Sequence, residues 1–385
     1  MTPSAGPLQR LGAMPVRSFV ARYWQKQAVC LRQAIDGFAS PVTAAQLFAL
    51  ARDPDVESRL VSAFAGRWQV RHGPFAASAL PARSRPRWTL LVQGVDQHDA
   101  AVSALAARFR FLPAARFDDV MISYATDRGG VGPHVDQYDV FLLQAQGRRR
   151  WRVARNFDAR LRAGLPLRVL AHFRHEEEWV LEPGDLLYLP PGVAHEGVAM
   201  GECVTISIGF RLPPLQEVAE AWSERQARVL PLSGRLADGS RWPTRSPARL
   251  PTSMVDAALR QLRRGLPSRV EMRRTLLENL SEPKPTVFFT APRPALGLAR
   301  FRQAARLRGL RLDLRSRLLY EAGDFAINGE LQVTPPAGRR WLRHLANQNR
   351  LSARMLAAIK PDQADEFFSI VHNWYRYGWL HLAPK

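Results

Sequence analysis

Two short segments, whose own residues dictate the backbone they need, lie 61 positions apart from His134 to His195, and they constrain this chain more than any other feature. The first runs Gly132-Pro133-His134-Val135-Asp136. In a strand, residues i and i+2 share a face, so His134 and Asp136 reach one point from neighbouring positions. The second reads Gly184, five residues, Pro190, one residue, Gly192, two residues, His195. Its Pro and Gly are turn-forming residues placed just before the imidazole. Two imidazoles and one carboxylate form the ligand set of a non-haem Fe(II) centre with open positions. The alternative is a surface histidine beside an ordinary hairpin turn.

Such a centre needs strands to carry it, and the surrounding sequence supplies them. Strand-like runs fall at residues 29–32, 68–71, 88–92, 119–124, 139–144, 150–153, 179–181, 185–189 and 204–210, separated by Gly and Pro turns. This texture argues for a β-barrel or sandwich. Helical patterns precede it at residues 19–26 and at 40–50, where Ser40 offers a cap and Pro41 a first turn. After Arg211 the pattern changes. Pro213-Pro214 breaks the chain, and helical periodicity follows at 215–227, 254–264 and 269–280. A second break at Pro283-Lys284-Pro285 precedes helical stretches at 339–348, 351–359 and 362–375. Asn328-Gly329, between apolar runs, signals a hairpin. The reading is an α+β chain with a β-domain over 1–212, a helical region over 213–285 and a winged-helix-like module over 286–385.

Length and composition set the outer limits. A chain of 385 residues, 46% hydrophobic, implies several globular domains. No apolar run is long enough to cross a membrane, and the N-terminus lacks a secretory core. The two cysteines, Cys30 and Cys203, make no disulfide framework. A cytoplasmic location without membrane partners is therefore expected. The net charge of +21 comes from 51 Arg and 4 Lys, with residues 213–385 the more basic part. Summed charge of this sign attracts polyanions, so contact with nucleic acid stays open, beside a merely Arg-biased surface.

An iron with three free positions usually takes a bidentate co-substrate such as 2-oxoglutarate, whose distal carboxylate needs a buried cation. By alternation over residues 148–153, Arg149 shares a face with Trp151 and Val153, the face expected to be buried. Arg149 is thus the candidate for a bidentate pair with that carboxylate, unless a protein carboxylate takes it. Ser123 and Ser207 are candidates to add hydroxyl contacts. Asp119, Asp127, Tyr138 and Asp139, close in sequence to the ligands, are candidates to meet a cationic substrate, with solvated surface as the competing role. The acidic run Glu176 to Glu178 offers a face for a basic partner.

At these residues the chain resembles the JmjC-type oxygenases, and among them the bacterial ribosomal oxygenases that hydroxylate an arginine of large-subunit ribosomal protein L sixteen. The likeness is carried by residues 118–124, 131–151, 189–197 and 208–211, with Tyr23-Trp24-Gln25-Lys26 similar to an entry helix. The segment from Gly184 to His195 fits the second motif of the cupin-type double-stranded β-helix. The resemblance implies His134, Asp136 and His195 as iron ligands and Arg149 as the 2-oxoglutarate anchor. It also implies consumption of O₂ with release of succinate and CO₂, hydroxylation at Cβ of an arginine, and a homodimer formed through the helical region. One departure is residues 125–128, Ala-Thr-Asp-Arg, where a small Gly-rich loop is expected beside the substrate channel. Two other functions stay open: a 2-oxoglutarate oxygenase of another protein, RNA or small molecule, and a ligand-sensing regulator that binds nucleic acid.

Overall fold

Two long strands organise the N-terminal unit: β9, Asp139–Ala154, and β12, Ala194–Phe210, paired antiparallel over most of their lengths. The structure, a computed structural model, describes residues 6–64, 67–229, 255–256, 259, 266–334 and 336–384. It divides into two units, Met1–Leu212 and Pro213–Lys385.

In the first unit, β1 (Arg10–Leu11) and β2 (Met14–Pro15) form a small ribbon. The main sheet adds β3 (Val29–Leu31), β4 (Ser58–Phe64), β5 (Arg67–His72), β6 (Trp88–Val92), β7 (Phe117–Ala125), β8 (His134–Val135), β10 (Glu177–Leu181) and β11 (Leu186–Leu189) to β9 and β12. Its order is β3-β11-β9-β12-β7-β6-β4-β5, with β10 on β9 and β8 on β12. The first half of β9 pairs with β11, and its second half, Arg149 to Val153, pairs with β10. Likewise the start of β12 pairs with β8 and its end with β7. Each long strand therefore passes from one layer into the other, as in a double-stranded β-helix.

Side-chain parity separates two cores. Phe141, Leu143, Ile206, Ile208 and Tyr124 face the N-terminal helices Val16–Arg22, Ala44–Leu50 and Ala100–Ala107. Fully buried Phe19 sits there against Phe141, Tyr188 and Phe111 at ring separations of 5.0 to 6.4 Å. Val140, Leu142, Trp151, Val153, Leu181 and Leu187 pack between the layers. Parity inverts along β9: even positions face the inter-layer space before Gly147, odd positions after it. Gly147 has φ +63°, and a Cβ there would meet the Glu202 carbonyl oxygen at 2.1 Å, so glycine permits the inversion.

Several sequence expectations need correction. The second helix begins at Thr43, not Ser40, because Thr43 and Gln46 form a reciprocal capping box. The Ser40 hydroxyl instead donates to the Val42 carbonyl. The runs at 139–144 and 150–153 are one strand, and β4 went unread because its burial does not alternate.

The second unit holds helices Leu215–Val229, Arg269–Ser281, Leu298–Arg308, Arg339–Gln348, Ala353–Ala357 and Pro361–Arg376. Its strands are β13 (Leu310–Leu312), β14 (Leu318–Glu321), β15 (Asp324–Ile327), β16 (Glu330–Gln332), β17 (Arg350–Leu351) and β18 (Leu380–Leu382), in two sheets of three. Asn328 and Gly329, both at positive φ, turn β15 into β16 as the dipeptide requires. Arg273 and Arg274 both pair with Asp324, which ties the Arg269–Ser281 helix to this wing. Helix Leu298–Arg308 escaped notice because only Phe301 and Ala305 are buried on it. The helix expected over 254–264 lies largely outside the described residues. No described helix is long and apolar enough to cross a membrane.

Asp139 is fully buried on the helix-facing side, where it accepts from Tyr188 (2.5 Å), Arg116 (2.7 Å) and Gln25 (3.2 Å). Asp139→Ala leaves the Arg116 guanidinium without its partner. It is expected to cost about 3–5 kcal/mol in a denaturant titration; a loss below about 1 kcal/mol would contradict this network.

Candidate metal centre

His134, Asp136 and His195 converge. Their donor atoms all lie within 4.8 Å of one another. The register of β12 places His195 opposite His134 on one side and opposite Val153 on the other. Gly192, at φ +80°, donates its N–H to the Asp136 carbonyl at 2.8 Å, so the turn of the second motif is bolted to the first.

Each ring is held in the same way. His134 Nδ1 lies 2.9 Å from the Gly132 carbonyl oxygen, and His195 Nδ1 lies 3.0 Å from that of Val193. A carbonyl only accepts, so both Nδ1 atoms carry the proton and both Nε2 atoms present lone pairs. Those Nε2 atoms lie 3.8 and 3.7 Å from Asp136 Oδ2. Burial, then the neighbouring His134, lowers His195 from its ordinary pKa to about 4. Neutral imidazoles fixed through their distal nitrogens beside a carboxylate are what a divalent transition metal requires. His195 is buried while His134 and Asp136 are partly exposed, so the cluster opens toward solvent on one side.

Arg149 is 3% exposed and lies between the layers, its guanidinium 5.1 Å from the Trp151 ring. It donates to Ser123 Oγ at 3.0 Å, Thr205 Oγ1 at 3.4 Å and the Gly197 carbonyl at 3.2 Å, and its Nε has no partner. Among the described residues no carboxylate pairs with it. Burial pulls its pKa below the ordinary value, yet a guanidinium stays charged. A buried cation without a counter-ion marks the seat of an anion that binds from outside. Gly197 makes this possible: a Cβ there would lie 2.7 Å from the Trp151 ring and 2.8 Å from Arg149 Nε.

The other candidates divide. Ser123 and Ser207 are both buried on strand faces directed between the layers, and Ser123 touches Arg149. Asp119 shares the Ser123 face of β7 and accepts from Gln93 at 2.8 Å. Tyr138 packs on the inter-layer cluster, and burial, then adjacent Asp136, raises its phenol well above the ordinary value, with Asp119 and Asp118 adding to the shift. Asp127 stands apart in an exposed turn, accepting from Gly201 N–H and beside Arg128. Asp139 is corrected by the parity inversion: it faces the helices, away from the cluster. Of the acidic run, Glu176 is engaged by the N–H groups of Arg155 and Asn156, and Glu178 by Arg152. Thr205 and Gln144, joined at 3.0 Å and adjoining Arg149, were missed. Two-residue spacing from Ser207 was the available signal for Thr205.

Comparison with known proteins agrees with this geometry. A JmjC-domain profile matches residues 104–218, a ROXA-like winged-helix profile residues 258–381, and an AraC-like ligand-binding-domain profile residues 169–281. The chain is 42% identical over 207 residues to the ribosomal protein uL16 3-hydroxylase of Escherichia coli, covering 54% of this chain and 55% of that one. It is 35% identical over 211 residues to a probable ribosomal oxygenase of Haemophilus influenzae, covering 54% and 52%. These alignments span about half the length of the curated relatives. The crystal structure of E. coli ycfD matches with TM-score 0.87 at 30% identity, over 97% of this chain and 100% of that chain. The same protein solved with cobalt and 2-oxoglutarate matches with TM-score 0.86. With two layers of β-strands, a His–Asp–His cluster, a C-terminal winged helix and a match along the full length of that structure, the chain belongs to the JmjC-type ribosomal oxygenase family.

Proposed function

We propose that this protein is an Fe(II)- and 2-oxoglutarate-dependent hydroxylase that places a hydroxyl on Cβ of an arginine in ribosomal protein uL16. The observation that carries the cofactor reading is Arg149, a buried cation lacking an acid partner, in the same inter-layer space as a preorganised His–Asp–His cluster. His134, Asp136 and His195 would hold the metal through two Nε2 atoms and one carboxylate. Arg149 would take the distal carboxylate of 2-oxoglutarate, with Ser123, and Ser207 on the same inward-facing set, lining its seat. Fe(II) with 2-oxoglutarate and O₂ supplies the oxidising power, with succinate and CO₂ as co-products.

The chain's own residues then position the substrate. Tyr138 adjoins Asp136 and lies near Asp119, and an anionic group beside a phenol face is suited to a guanidinium. Asp127 sits further out, in an exposed turn beside Gly201 and Arg128. The uL16 assignment rests on what the E. coli relative is named for. A cytoplasmic location follows from such a substrate. Pairing with a second copy through residues 213–282 is supported by apolar side chains left exposed there: Leu215 at 88%, Leu266 at 64% and Val270 at 42%.

Intact-mass spectrometry of uL16 after incubation with enzyme, Fe(II), 2-oxoglutarate and air should show the gain of one oxygen atom, absent with His134→Ala. Succinate formation dependent on His134 without that gain would discard the substrate and keep the oxygenase; neither signal would overturn both. Sedimentation at micromolar concentration should give a species of twice the chain mass, and a monomer alone would refute the pairing.

A further inference from the structure

The loop joining β9 to β10 carries chemistry that the hydroxylase centre does not use. Arg162 N–H donates to the Val169 carbonyl and Ala171 N–H to the Arg160 carbonyl, both at 2.8 Å, closing a hairpin. Leu170 N–H donates to the Pro133 carbonyl at 2.8 Å, so this hairpin is fixed to the residue that precedes His134. Beside it an open cleft of about 610 Å³ is lined by Asn156, Phe157, Asp158, His172, Phe173 and Arg174. Both phenylalanines are half-buried and line the cleft among polar groups.

The loop is rich in arginine. Residues 155–174 hold five arginines and a single acid, Asp158. Asp158 is already bound by Arg160 at 2.6 Å, which draws its carboxyl down to about 2. The acidic run Glu176 to Glu178 follows: Glu176 keeps its charge while accepting from the N–H groups of Arg155 and Asn156, and Glu178 pairs with Arg152. Arg162, Arg168 and Arg174 are exposed, and no acid partners them among the described residues. Three exposed guanidinium groups without acid partners attract a phosphodiester chain. Aromatic rings interleaved with guanidinium groups suit unpaired bases, which stack without need of sequence.

We infer that this hairpin and cleft, anchored beside the metal-binding strand, dock single-stranded RNA, with the Arg side chains on phosphates and Phe157 and Phe173 under bases. The choice of RNA over DNA rests on the ribosomal substrate proposed above. On that reading the enzyme grips RNA that accompanies its protein substrate.

Full-length protein without Fe(II) or 2-oxoglutarate is titrated into a fluorescent ten-nucleotide oligouridine, so a failed hydroxylase assay leaves this test intact. Wild type should bind saturably, with affinity falling on the order of tenfold between 50 and 200 mM salt. Phe173→Ala should weaken binding about tenfold. The charge-reversed pair Arg168→Glu/Arg174→Glu, which spares the buried core, should weaken it at least as much and flatten the salt dependence. His134→Ala should bind like wild type. Absence of saturable binding, unchanged affinity in both loop variants, or equal displacement by polyglutamate would overturn the inference. So would loss of binding confined to Arg311→Glu/Arg350→Glu, an exposed cross-strand pair in the C-terminal unit.

Discussion

The antiparallel register of β9 and β12 is the constraint on which the site depends. It sets His195 opposite Val153, Gly197 opposite Trp151 and Ala199 opposite Arg149. The metal cluster and the buried cation thus lie along one ladder, a few residues apart. A slip of one residue would turn His195 outward and press a side chain onto Arg149 where Gly197 now leaves room. Register is pinned at both ends: by Gly192 N–H on Asp136 at the motif turn, and by Gly147 where β9 changes parity.

Within that frame the site stores unbalanced electrostatics. Arg149 makes neutral hydrogen bonds to Ser123, Thr205 and Gly197, which partly offset desolvation but leave its charge uncompensated. Elsewhere in the same unit a buried charge is answered: Asp139 meets Arg116, and Asp185 meets Arg32. The contrast is what supports the proposal that Arg149 is kept for a visiting carboxylate. The imidazoles follow the same logic in neutral form, since lock-in through Nδ1 and burial of His195 keep a proton from competing with a metal over the physiological range.

What the sequence made legible followed from residues that carry their own backbone demands. Pro190, Gly192 and the His-x-Asp spacing each restrict φ/ψ or side-chain direction locally, so the triad could be read without knowing the fold. Arg149 was legible because strand alternation holds from 149 to 153, and burial there alternates as expected. Asp139 was misplaced because it was chosen for nearness in sequence to the ligands, which does not fix the face of a strand on which a side chain lies. It has the same parity as Arg149, but the inversion at Gly147 sends the two to opposite faces, and that inversion depends on tertiary pairing with β12. Thr205 and Gln144 were hidden because a polar pair inside a strand looks like any surface pair until its surroundings are known. The arginines of residues 155–174 did not stand out in the sequence, where most of the excess charge lies in residues 213–385; their attachment to Pro133 comes from the fold.

The central claim is that Arg149 is the counter-ion for a dicarboxylate co-substrate held beside the iron, and anaerobic titration of 2-oxoglutarate into the Fe(II)-loaded protein tests it most directly. The account predicts one equivalent bound by wild type. It predicts affinity weaker by about 30-fold or more in Arg149→Gln, the cost of removing one partner of a buried charge pair, with Fe(II) binding retained. Undiminished 2-oxoglutarate affinity in Arg149→Gln, with iron in place, would contradict it.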